Sequence, residues 1–404
     1  MKIASLAVAA LMSIFIAARA GTGEAPRPAD DAVAADNAFA SDIYAQLRQE
    51  KGNICISPYS ISSALDMVSA GAEDETASQM LSVLHWSEDR SKLPAAAFAL
   101  SAAILDQKDE HAFATIQIAN ALFGQKQYPY RKDFLDLLSR KYDAALETVD
   151  FVNHPADALD QINHWTAQKT AGRIKDVLPP SAVTPATRLV LVNAVYFKGR
   201  WSEAFKKAAT ADQAFYGDAK DPLKIPMMHE RGDFNLAEDQ TIQAVELPYV
   251  GDFSMVSFLP RNRDGLPALE ESLTAQKIQT WIAALQQQPV IVSLPRFRMD
   301  CDYSLNAPLA RLGMRDAFDP HRADFSGIAS LERLKIDVVQ HKTFISVDEE
   351  GTEAAAVTGV SVGLASVTPV RHFTVFQADH PFLFLIRHRS TGAILFVGRV
   401  VNPQ

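Results

Sequence analysis

The chain has 404 residues, of which 48% are apolar, 22% charged and 9% aromatic. That mixture excludes a disordered, collagenous or disulfide-dense chain, and the length suffices for one large domain. Its 39 basic residues stand against 48 acidic ones, a net of −9, and no Lys/Arg run stands out. Nucleic acid and anionic membrane are therefore excluded as expected partners.

In chain order, Lys2 is followed by sixteen uncharged, mostly apolar residues, 3–18, and then by Ala18-Arg19-Ala20. A basic start, an apolar stretch and an A-x-A end read as a signal peptide over residues 1–20, which predicts a secreted or periplasmic protein. The stretch is short for a bilayer span. Residues 21–32, rich in Gly, Pro, Ala and Asp, read as a flexible leader, and 33–404 as one domain.

From Val33 apolar residues recur at helical spacing up to position 47. Residues 53–56 read as a short strand. Ser57-Pro58 fits an N-cap and a first-turn proline, opening a helix that runs toward Gly71. Further helices are predicted near 76–84, 93–105 and 131–141, and from Pro155 to a stop at Gly172. Residues 189–197 are apolar on both faces, the pattern of a central buried strand.

The C-terminal half is richer in strands, predicted at 244–247, 254–259, 290–294 and 334–347. A closing hairpin is predicted at 382–387 and 393–400, and helices over 266–285 and 305–312. Helices early, strands late and no dividing linker predict one α+β domain. Cys55 and Cys301 are too few for a disulfide framework and form no CxxC pair; a single bridge and two buried free thiols both remain open.

One segment does not fit a compact domain. Roughly 25 residues lie between the strand ending near Val347 and the one starting near Phe373, far beyond an ordinary connection. Alternate residues from Thr352 (Thr352, Ala354, Ala356, Thr358, Val360, Val362, Leu364) are all small or apolar. That is the two-residue period of a strand with one packable face, and Gly351 before it suits a hinge. Strand chemistry where a long loop is expected describes a chain able to be either.

Four blocks resemble the serpin family. They are Asn53 to Ile61 (NICISPYSI), Leu191 to Trp201 (LVNAVYFKGRW), His341 to Ala356 (HKTFISVDEEGTEAAA), and the closing pair ADHPFLF from Ala378 and GRVVNP from Gly398. The resemblance covers roughly residues 33–403. It implies a single domain of three β-sheets and about nine helices, with an exposed reactive centre loop at about 349–372. It also implies a suicide-type serine protease inhibitor. In such inhibitors the protease cleaves the loop and is trapped as a covalent acyl-enzyme while the loop inserts into the main sheet.

The resemblance further implies a hinge at Gly351, Thr352, Glu353, Ala354, Ala355 and Ala356. Family spacing from Gly351 places the reactive bond at Ala365-Ser366, with Leu364-Ala365 the next candidate. A small residue there implies a protease with a small primary pocket, elastase-like or subtilisin-like. Ser57, Asn193 and His341 are implied as a hydrogen-bonded shutter beneath the sheet, and Trp201 reads as packing at the top of the central strand. No residue is assigned a catalytic role, no cofactor or metal is expected, and the expected state is a monomer.

Two other readings compete. Gly359-Val360-Ser361-Val362-Gly363 matches the G-x-S-x-G nucleophile elbow, but the β-branched residues and Pro369 that follow cannot supply the helix it needs. A non-inhibitory binding protein on the same fold is the alternative function. The small residues Thr352, Ala354, Ala355 and Ala356 favour an inhibitor.

Overall fold

In the computed structural model, which describes residues 28–86, 89–105, 114–142, 144–217, 221–329, 334–352 and 372–404, the first helix is Pro28–Leu47. It starts before the apolar periodicity does, so residues 28–32 of the expected leader are helical. Proline suits a first helical turn, and Asp30 and Asp31 in that turn complement the positive end of the helix dipole. The strand Ile54–Ile56 leads into Ser57, whose Oγ accepts a hydrogen bond from the Ser60 N–H at 3.3 Å and so caps the helix Pro58–Ser69.

The next four expected helices are Asp74–Val83, Leu93–Leu105, Lys132–Lys141 and Pro155–Lys169. The long helix expected over 266–285 is instead two, Leu266–Glu271 and Ala275–Ala283. Thr274 breaks it: its backbone is extended and its hydroxyl accepts from the Lys277 N–H at 3.1 Å, which starts a second helix. Nine α-helices lie among the described residues.

Among the described residues the strands form two hydrogen-bonded sheets. The six-stranded one runs Phe297–Ser304, Val338–Asp348, Gly351–Thr352, Leu189–Arg200, Ala114–Gln125, Leu146–Val149. Its central strand, Leu189–Arg200, is buried almost end to end because both faces are covered. Val190, Val192 and Ala194 pack with Ala158 and Ile162 of one helix, and Leu189 and Leu191 pack with Ile61 and Leu65 of another.

The second sheet holds nine strands and ends at Thr374–Gln377. The 16-residue strand Leu223–Glu238 pairs with Gln286–Pro295 along most of its length and with Ile242–Pro248 at its end. Two of the three expected sheets are thereby joined into one hydrogen-bonded surface. Cys55 and Cys301 are both buried free thiols, so of the two options it is the unbridged one that holds.

Candidate functional site

The central strand Leu189–Arg200 and the strand Val338–Asp348 run parallel and pair directly from Val190↔Val338 to Tyr196↔Phe344. Above that rung they part. Val338–Asp348 turns sharply at Glu349-Glu350, and Gly351 and Thr352 come back between the two strands. There Gly351 faces Arg200 and Asp348, and Thr352 faces Gly199 and Val347. The sheet is zipped below and forked above, with two residues of a third strand lodged in the fork.

Each piece of the fork has a local cause. Gly351 has φ +150°, and a Cβ there would stand 2.0 Å from the Gly199 carbonyl oxygen, so only glycine fits. Asp348 Oδ1 accepts the N–H groups of Glu350 (2.9 Å) and Gly351 (3.3 Å), which closes the turn. Trp201, 2% exposed, does more than pack: its Nε1 donates to the Asp348 carbonyl at 2.9 Å and its N–H to that of Glu350 at 2.9 Å. Its ring stacks on Tyr249 at 4.3 Å, and the Tyr249 hydroxyl lies 2.7 Å from the Thr352 hydroxyl. Thr352 is fully buried.

Glu349, 1% exposed, is held by the Arg296 guanidinium (Nε at 2.8 Å) and the Thr210 hydroxyl. Burial works against its charge, but those hydrogen bonds outweigh it and hold the carboxyl below its ordinary value. A buried carboxylate bound this way pins the start of the turn.

Midway along the zipped rungs sits a polar cluster. His341, fully buried, lies opposite Asn193 in the register. The Ser57 N–H donates to His341 Nε2 at 3.0 Å, so Nε2 is the bare nitrogen and Nδ1 carries the proton. That proton goes to Asn193 Oδ1. Asn193 Nδ2 in turn donates to Ser60 Oγ (2.6 Å) and to Asn120 Oδ1, and Asn120 Nδ2 donates to the Ser60 carbonyl (3.0 Å). Every donor has one direction available, and the whole is neutral. Burial pushes the His341 imidazole down to about 3, which keeps it so.

The sequence-expected Ser57, Asn193 and His341 are therefore brought together. Ser60 and Asn120 complete the cluster and were missed, although Asn120 was legible as a polar residue inside the apolar run from Ile116 to Phe123. Tyr249, Arg296 and Thr210 carried no local signal, because they come from strands and loops remote in sequence. Glu353, Ala354, Ala355 and Ala356 of the expected hinge, and Ala365 and Ser366 of the expected reactive bond, lie outside the described residues. The Gly359 to Gly363 elbow lies there too. Among the described residues no group of three or more His, Cys, Asp or Glu is disposed to hold a metal, and no helix is long and apolar enough to cross a membrane.

The family model of the serpins, described as serine protease inhibitors, matches residues 34–403. The chain belongs to the serpin family. Bovine (Bos taurus) leukocyte elastase inhibitor is 41% identical over 381 residues, 92% of this chain and 99% of the bovine serpin. Among solved structures, uncleaved ovalbumin superposes with a TM-score of 0.83 at 31% identity, covering 92% of this chain and 100% of that one. Serpin48 of the insect Tenebrio molitor, described as a highly specific serpin, gives 0.82 at 31%, covering 93% and 98%.

These comparisons correct one expectation. The secreted or periplasmic location rested on residues 1–20. Those residues lie outside the family match over 34–403, and relatives that match most of the chain are leukocyte elastase inhibitors, which do not support that location, so it is withdrawn.

Proposed function

We propose that this serpin inhibits a serine protease by a suicide route, cleaved in the segment after Thr352 and inserting that segment between the central strand and Val338–Asp348. One observation carries the reading. Gly351 and Thr352 already form the first rungs of an antiparallel strand in the fork between them.

The register supports it further. Continued antiparallel from Thr352, the segment sets Ala354 between Phe197 and Ile345, Ala356 between Val195 and Thr343, and Thr358 between Asn193 and His341. The residues that would be separated are the ones now paired, Asn193 with His341 among them. Insertion thus needs no slippage of register, only the parting of each rung. The inward residues on the Thr352 face are Ala354, Ala356 and Thr358, small enough to enter a closing sheet. Roughly a dozen ladder residues at about 1 kcal/mol net each give a gain on the order of 10 kcal/mol.

In this mechanism the nucleophile is the protease's. Its serine attacks the carbonyl carbon of Ala365, the Ala365-Ser366 amide breaks, and Ser366 leaves as a new amino terminus. The ester to Ala365 persists because insertion drags the enzyme away and distorts it before water completes the cycle. Alanine at that position selects a small primary pocket, in keeping with relatives named for elastase. Mixing the protein with an elastase-like protease is expected to give a complex that survives boiling in SDS. If several such proteases clip the loop and depart active, the proposal is wrong.

A further inference from the structure

Away from the fork, the helices Pro28–Leu47, Pro58–Ser69 and Leu93–Leu105 meet around a cavity of about 20 Å³, room for one water. Its wall is largely apolar, with Ala35, Leu84, Leu93 and Leu100 among its residues. Two carboxyl groups interrupt it, Asp36 from the first helix and Asp66 from the second. Asp66 is 6% exposed, and Asp36 is partly buried.

Among the described residues neither carboxyl is paired with a cation. Arg90 spends its guanidinium on the Ser69 and Ala70 carbonyls (3.3 and 3.0 Å) and on Glu73 (3.1 Å). His85 pairs with Asp42 at 2.7 Å. The helix Leu93–Leu105 brings no charged side chain to the cavity. Of the nearby hydroxyls, Ser63 donates to the Tyr59 carbonyl at 2.7 Å and Tyr142 to the Asp66 backbone carbonyl at 3.3 Å, while Ser62, 3.0 Å from the Tyr59 carbonyl, also hydrogen-bonds with the Asp36 carboxyl. Tyr59 is the remaining titratable neighbour, and burial pushes its phenol up to about 12.

Two carboxylates lining one largely apolar cavity, with Ser62 the hydroxyl on Asp36 and no cation to balance either, are in conflict, and a proton on one or both resolves it. We propose that Asp36 and Asp66 form a proton-binding site that ties Pro58–Ser69 to its two neighbouring helices, so that this layer loosens as pH rises. The site matters to the sheet because Pro58–Ser69 begins at Ser57 and carries Ser60, both members of the polar cluster under the zipped strands.

The titration supports the sense of the effect. Burial pushes the Asp36 carboxyl up to about 7, and burial together with the Asp36 charge pushes that of Asp66 well above its ordinary value. A carboxyl raised on folding stabilises the fold fully below the unfolded value near about 4, and that contribution is lost as pH rises through the folded value. The sensitive window therefore opens near about 4 and runs up to the folded values, about 7 for Asp36 and higher for Asp66.

The test is urea unfolding of the full chain from pH 4.5 to pH 9, comparing wild type with Asp66→Asn and, separately, Asp36→Asn. Asparagine imitates the protonated acid in shape. Wild type is expected to lose stability relative to Asp66→Asn as pH rises, by up to about tenfold in the unfolding equilibrium per pH unit for each proton lost. Parallel profiles for wild type and both variants overturn the proposal. Should a variant fail to fold, infrared spectroscopy of the wild type decides. A protonated-carboxyl carbonyl band present at pH 6 and gone by pH 9 supports the site, and its absence at pH 6 overturns it.

Discussion

The zipped middle and the forked top of the two strands are held by opposite means. Midway down the zipped rungs a hydrogen-bonded cluster of neutral side chains, with His341, Asn193 and Ser60 buried and Asn120 half-buried, ties the strands to the helix below. At the upper end the strands have already parted, and the gap is filled by backbone: Gly351 and Thr352 occupy the rungs an inserting strand would take first. In the proposed mechanism the sheet is entered from the fork, and the inserting strand is stopped at or passes the polar cluster.

The largest expected effect comes from spoiling the fork. Thr352→Arg forces a charge into a fully buried position, a cost of several kcal/mol without a partner, so inhibition is expected to give way to plain cleavage by about a hundredfold or more. The stoichiometry of inhibition measures it. Undiminished complex formation would mean that insertion does not begin at Thr352.

Acid is expected to act at the polar cluster. His341 is pushed down to about 3 by burial, below its ordinary value near 6.5. A base depressed on folding stabilises the fold fully above the unfolded value and loses that contribution as pH falls toward the folded one. Urea midpoints are therefore expected to fall between pH 6.5 and pH 4, and His341→Gln to flatten that fall. An unchanged slope in the variant would place the acid sensitivity elsewhere. The direction is opposite to that expected of Asp36 and Asp66, whose window overlaps this one, so each site is read from its own variant against wild type.

Asn193→Ala strips partners from His341, Ser60 and Asn120 at once. A destabilisation of about 2–3 kcal/mol is expected by chemical denaturation, from buried polar groups left unpaired. The smallest effect belongs to Tyr249→Phe, which removes one hydroxyl from Thr352. About 1 kcal/mol or less is expected, visible as modestly faster limited proteolysis next to the hinge. Equal or larger losses than for Asn193→Ala would reverse the assignment of which region is the firmer one.

What the sequence made legible follows from how local each cause is. The cap at Ser57, the buried strand around 189–197 and the closing hairpin rest on neighbours in the chain, and they could be read directly. The strand Ala114–Gln125 was missed because its alanines mask the alternation, and its burial comes from pairing with the central strand along its whole length. The break at Thr274 was missed because apolar spacing continues across it while one hydroxyl cap restarts the helix. Of the site, Ser57, Asn193 and His341 were named through the family resemblance. The grip of Arg296 and Thr210 on Glu349, and of Tyr249 on Thr352, joins residues 53, 139 and 103 positions apart, beyond any reading of local pattern.

The account turns on whether the segment after Thr352 is more stable between the two strands than outside them. A melting curve taken before and after cleavage of that segment by a non-target protease measures this without any inhibited enzyme. The cleaved protein is expected to melt well above the intact one, because a new central strand completes the fork. If both melt at the same temperature, the fork is not the entrance to an insertion site, and the proposed trap has no driving force.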